Sequence, residues 1–178
     1  SGSTGETLVI ERKVVPNNFP LSQSQIDEIR NTPHGQRPDT SKYLSSGYID
    51  EHLSNFDDGA SRFMSQKNLD KYGIAQRDGT SFVMTRSQAD QLLASSNGDP
   101  KAMANALGLP EDLFESNTLM RVDIPNPKEL NLRVPSGNEA GANDFWIPGG
   151  RLPDGALEAV IDAGNISSDR YVQTPLLF

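Results

Sequence analysis

The chain has 178 residues, no cysteine and a formal net charge of −8. That length suits one domain with a hydrophobic core and is short for two. The absence of cysteine excludes disulfides, thiol nucleophiles and cysteine-ligated zinc. The acidic balance disfavours broad binding to a phosphate backbone. Hydrophobic residues make up 35% of the chain beside 15 Gly and 12 Pro, a globular but loop-rich composition, and no apolar run reaches the length of a membrane span.

Small polar residues open the chain (Ser1 to Gly5) and read as a linker or tag remnant. The β-branched run from Leu8 to Val15 then predicts a strand, stopped by Pro16-Asn17-Asn18. Residues 1–20 are therefore read as remnant and N-terminal strand, and 21–178 as a single domain. Ser22 with Gln25 predicts a capping box at the start of a short helix carrying Ile26 and Ile29 on one face. The loop from Thr32 to Asp39 ends it. Tyr48, Ile49, His52, Leu53 and Phe56 recur at helical spacing. Ala60 to Met64 predicts a short strand, Ser65 caps a helical turn to Tyr72, and Thr80 to Met84 predicts the next strand. Thr85 caps a helix from Arg86 to Ser96. Two further short helices are expected at Pro100–Leu107 and Pro110–Phe114.

The last third has a different character. Leu119–Ile124 and Leu130–Val134 alternate as two neighbouring strands, separated by Pro125-Asn126-Pro127. A Gly-, Asn- and Pro-rich loop runs from Ser136 to Gly155 and holds the single tryptophan, Trp146, between Phe145 and Ile147. A loop this long inside a compact domain is usually functional or disordered, and its embedded aromatics argue for order. Glu158 heads the next apolar strand, Glu158–Asp162, after the turn Pro153-Asp154-Gly155. A carboxylate at that place sits at a sheet edge beside the loop, where it can lose part of its hydration and still face a cleft. His34 and His52 lack the spacing of a zinc motif, and no metal site is expected.

These elements resemble the C-terminal half of ADP-ribosyltransferase toxins and the toxin tips of bacterial polymorphic effectors of the Rhs and contact-dependent kinds. The segments that carry the resemblance are Leu119 to Pro125, the short strand at Leu130, the glycine-rich loop, and Pro153 to Ile161. Thr80-Ser81-Phe82-Val83, leading into a capped helix, is similar to the family's middle hydroxyl strand. Its early anchor corresponds either to Arg62 in Ala60–Met64 or to His34 in His34-Gly35. Ala156 stands two residues before Glu158, so the paired acid of the arginine-directed members is absent.

The resemblance implies an α+β fold of two small mixed or antiparallel sheets packed at a cleft, with helices mainly in the N-terminal half, and a catalytic role for 21–178. It implies cleavage of NAD, as substrate, at the nicotinamide–ribose bond, followed by transfer of ADP-ribose to a macromolecular target, protein or RNA. Glu158 would stabilise the oxocarbenium-like transition state. Arg62 or Arg121 would pair with the pyrophosphate, Thr80 and Ser81 would orient the strands or the ribose, and Trp146 or Tyr72 would stack on nicotinamide. The setting implied is a bacterial toxin secreted or translocated into a target cell's cytoplasm in interbacterial competition, with a cognate immunity protein and no membrane association. Three other readings stand beside it: an NAD glycohydrolase, a ribonuclease using His34 or His52, and a binding module with Phe145-Trp146-Ile147 as its hot spot.

Overall fold

A computed structural model describes residues 19 to 177, and the strand expected at Leu8–Val15 lies outside them. Side-chain caps place most of the element starts. At α1 (Gln23–Asn31) the Ser22 hydroxyl accepts from the Gln25 amide at 3.2 Å while the Gln25 side chain accepts from the Ser22 amide at 2.8 Å, the expected capping box. Helix α2 (Ser46–Ser54) is capped by Ser45. Strand β1 (Ala60–Ser65) passes directly into α3 (Gln66–Tyr72), and β2 (Thr80–Thr85) passes directly into α4 (Arg86–Ser96). In both cases the last strand residue is also the helix cap: Ser65 accepts from the Asn68 amide and Thr85 from the Gln88 amide. A hydroxyl with extended backbone can end a ladder and satisfy an orphan helix donor at once, so no loop is needed. Asp99 caps α5 (Pro100–Ala106), with proline in its first turn.

The sheet contains β1, β2, β3 (Leu119–Ile124), β4 (Glu158–Asp162) and β5 (Val172–Leu176), in the order β4-β2-β1-β3-β5 with every neighbouring pair antiparallel. The fold is thus α+β, as expected. Where two small sheets are expected, the described residues form one sheet of five strands. The difference arises because the Glu158 strand pairs directly with β2 rather than nucleating a second layer.

Two local expectations are corrected. The strand at Leu130–Val134 is instead a single 3-10 turn, Pro127–Leu130, followed by Asn131 in the left-handed region at φ +55°. Pro127 lacks a ladder donor and Asn131 breaks the extended run, so only Arg133 bridges to a strand, and that partner is Val160 of β4. The helix at Pro110–Phe114 shrinks to a 3-10 turn at Leu113–Glu115. Strand β5 has no counterpart among the sequence expectations; it pairs at the sheet's edge, where Pro175 is tolerated.

Side chains alternate across the sheet, so the register sorts them. Glu158 lies opposite Met84 and Arg62 opposite Val122. One face carries Val83, Val122, Ile124 and Ile161, packed with Phe56, Leu69 and Leu132. The other face carries Phe63 and Leu119 against Ala89, Met103 and Phe114, from α4, α5 and the Leu113 turn. At the β2–β4 end a third cluster joins Leu21, Ile26, Ile29 and Leu44 to Trp146 and Phe82. Burying each such large side chain contributes about 1.5–3 kcal/mol.

Candidate functional site

The long loop is ordered by polar anchors from the N-terminal helices. Arg37 spans the joint: Nη1 donates to Gly137 O at 2.6 Å, Nη2 to Arg30 O at 3.0 Å, and its guanidinium lies 4.7 Å from the centre of the Trp146 ring. Asn138 accepts from the amides of Gly35 and Arg37, and Arg30 donates to Asp144 O. Glu139 closes the turn, accepting from the Ser136 hydroxyl and from the amides of Ser136 and Gly137. Gly137 is obligatory, because at φ +88° a Cβ would meet the indole at 2.6 Å.

A second clamp fixes the start of β4. Helix α2 presents Tyr48 and His52 stacked, and the turn after it adds Phe56 tilted against His52, with ring centres 6.0 Å apart at each step. The Tyr48 hydroxyl donates to Gly149 O at 2.7 Å, and His52 Nε2 bonds Glu158 O at 2.9 Å. The Glu158 amide donates to Gly150 O at 2.8 Å. Gly150, at φ +77°, lies against the His52 ring, where any side chain would collide. The Gly149-Gly150 pair lets α2 approach the strand carrying the carboxylate.

Glu158 projects from this clamp into a cleft of about 610 Å³ walled by Phe82, Leu107, Trp146, Leu152 and Pro153. The residue is 8% exposed, and its Oε1 is sealed from solvent with no hydrogen-bond partner among the described residues. Burial first, and the charge of Glu139 second, push its carboxyl up from the ordinary 4.5 to about 7. Such a group exchanges a proton at neutral pH, the property of a general acid or base. The cleft lining holds Asp154 and Glu158 but no cationic side chain.

Of the other residues expected at the NAD site, Trp146 alone lines this cleft. It is 4% exposed, so it forms wall rather than surface, while Phe145 is 73% exposed at the same cleft. Arg62 and Ser81 meet each other, with Nη1 of Arg62 donating to Ser81 Oγ at 2.7 Å, but on the opposite face of the sheet. There Arg62 and Tyr72 line a separate cleft. Arg121 is ion-paired to Asp90 at 2.8 Å and Asp123 at 3.0 Å. Thr80 donates to Asp78 Oδ1, and His34 Nε2 bonds Glu139 O at 2.8 Å. Sequence reasoning missed Glu139 and Phe82. The signal for Glu139 was Ser136-Gly137-Asn138-Glu139, in which a serine and a carboxylate three apart close a turn on each other. Phe82 carried no sequence signal; it reaches the cleft because it lies two residues before Met84, the register partner of Glu158, on the same sheet face.

Fold and site together define an α+β chain with a buried, proton-exchanging carboxyl at an aromatic-walled cleft. Comparison with known protein families and with curated proteins finds no match for the chain.

Proposed function

We propose that the chain cleaves NAD at the nicotinamide–ribose bond and transfers the ADP-ribose to a macromolecular target, with Glu158 as the catalytic carboxylate. The observation that carries this reading is the nearly buried carboxyl of Glu158, its Oε1 without a partner among the described residues, in a largely aromatic and apolar cleft lined by no cation. In the proposed step the bond between the ribose C1′ and the ring nitrogen breaks, and its electron pair leaves with neutral nicotinamide. The oxocarbenium ion left behind is stabilised by the Glu158 carboxylate. A nucleophile of the target attacks C1′ and releases a proton, which a carboxyl titrating near 7 accepts. The positive charge of the bound nicotinamide ring favours ionised Glu158, so binding itself prepares the group. Because the cleft lining has no guanidinium, the pyrophosphate is proposed to lie outside it, towards solvent.

The family resemblance extends the proposal to its setting: a bacterial effector toxin, translocated into a target cell and held in check by an immunity protein. No helix among the described residues is long and apolar enough to cross a membrane. The ribonuclease reading finds less support, since a ring nitrogen of each histidine is occupied by a backbone carbonyl. A Trp146 hot spot is likewise weakened by the burial of the indole.

Incubation with NAD labelled in the adenylate half tests the proposal. Label should appear on a macromolecule of a target-cell extract and disappear with Glu158→Gln. Label found only in free ADP-ribose would replace transfer with hydrolysis, and intact NAD would remove the proposal.

A further inference from the structure

The second cleft, on the sheet face away from Glu158, has the opposite electrostatic character. It encloses about 520 Å³ and is lined by Arg62, Asn68, Tyr72, Gln76 and Arg77 among others, with no carboxylate in its wall. On a chain of net charge −8, two guanidinium groups without an acidic neighbour in the lining are a local reversal of sign. Arg62 is the informative one. Its Nη1 is tied to Ile74 O at 2.8 Å and to Ser81 Oγ at 2.7 Å, which fixes the plane of the group. Among the described residues Arg62 has neither an ion-pair partner nor an acceptor for its Nε and Nη2. Burial lowers its proton affinity, as expected of a cation held without a counter-charge.

The anchoring at Nη1 leaves the Nε–Nη2 edge free. That edge presents two parallel donors, the spacing that matches two oxygens of one carboxylate or phosphoryl group. A purely structural arginine strapping β2 to the Ile74 loop would need only Nη1. Arg77 adds a second, exposed cation, and the 63% exposed ring of Tyr72 offers a flat surface beside them.

We propose that this cleft is a second ligand site, separate from the Glu158 cleft, that grips the oxyanion of a small ligand on the Nε–Nη2 edge of Arg62 with Arg77 as the supporting cation. The site does not depend on the NAD reading, because the two clefts open on opposite faces of the sheet.

The test is titration of the full chain with inorganic phosphate and, in parallel, with acetate, following the Arg62 Nε–H resonance by NMR and the melting temperature. Saturable movement of that resonance and a rise in Tm are expected with at least one of the two anions, and the stronger responder assigns phosphoryl or carboxylate. Arg77→Gln, at an exposed position, should weaken binding about tenfold with the fold intact. Arg62→Lys, which keeps the charge and loses the fork, should weaken it by a similar factor. Glu158→Gln should leave it unchanged. No saturable response to either anion would overturn the proposal, as would equal responses in wild type, Arg77→Gln and Arg62→Lys. Loss of anion binding in Glu158→Gln would overturn the separation of the two sites.

Discussion

Replacing Glu158 with glutamine should stabilise the protein at alkaline pH and leave its stability nearly unchanged at acidic pH. The wild-type carboxyl titrates at about 7 in the folded chain against an ordinary 4.5. The folded state therefore binds this proton more tightly than the unfolded state. The stability linked to it is fully present below about 4.5, falls as pH rises, and is lost above about 7. At about 1.4 kcal/mol per pH unit, that displacement corresponds to about 3 kcal/mol. Glutamine is nearly isosteric and carries no titratable proton, so the variant escapes the loss. For a chain of this size, about 3 kcal/mol moves Tm by about 6–12 °C. The assay is the difference in Tm between Glu158→Gln and wild type, measured from about pH 5 to about pH 8.5. Groups that titrate alike in both proteins, His52 included, cancel in that difference. A difference that grows with pH through the neutral range is expected. A flat difference, or a wild type more stable than the variant at the alkaline end, would refute the burial argument.

Two further perturbations probe the clamp. Gly150→Ala forces a side chain into the His52 ring at a positive φ, and should cost about 2 kcal/mol or more, read as a lowered urea midpoint with an unchanged slope. His52 responds to pH in the opposite sense to Glu158. Burial lowers its proton affinity below the ordinary 6.5, so the folded state binds fewer protons than the unfolded one, and stability falls as pH drops below about 6.5. His52→Gln keeps a donor for Glu158 O but cannot take up that proton. Its Tm should therefore decline less than that of wild type between about pH 6.5 and about pH 5.

What the sequence made legible was local. The capping signals at Ser22, Ser65 and Thr85 act through a hydroxyl and the next few amides, and each appears as read. The strands at Ala60, Thr80, Leu119 and Glu158 were also visible, because their apolar alternation is strong. Tertiary choices were not visible. Whether Leu130–Val134 would join a ladder depended on Pro127 and Asn131, and whether Val172–Leu176 would join depended on an edge that accepts Pro175. The candidate site divides the same way. Glu158 was found from its position after a turn and beside a long loop. Arg62 and Ser81 do not share its cleft, because a shared cleft requires a shared sheet face and the face is set by register: they fall on one side and Glu158 on the other. The burial of Trp146 under Arg37 joins residues 109 positions apart, which no local pattern encodes.

The most direct test of the central claim is the rate of nicotinamide release from NAD as a function of pH, measured for wild type and Glu158→Gln in the presence of target-cell extract. If ionised Glu158 carries the chemistry, the wild-type kcat/KM rises with pH around the neutral titration of about 7 and levels off above it, whereas the variant lacks this rise and is at least about a hundredfold slower on the alkaline plateau. Absence of nicotinamide release from the wild type at any pH, or the same rate and profile in the variant, would contradict the account.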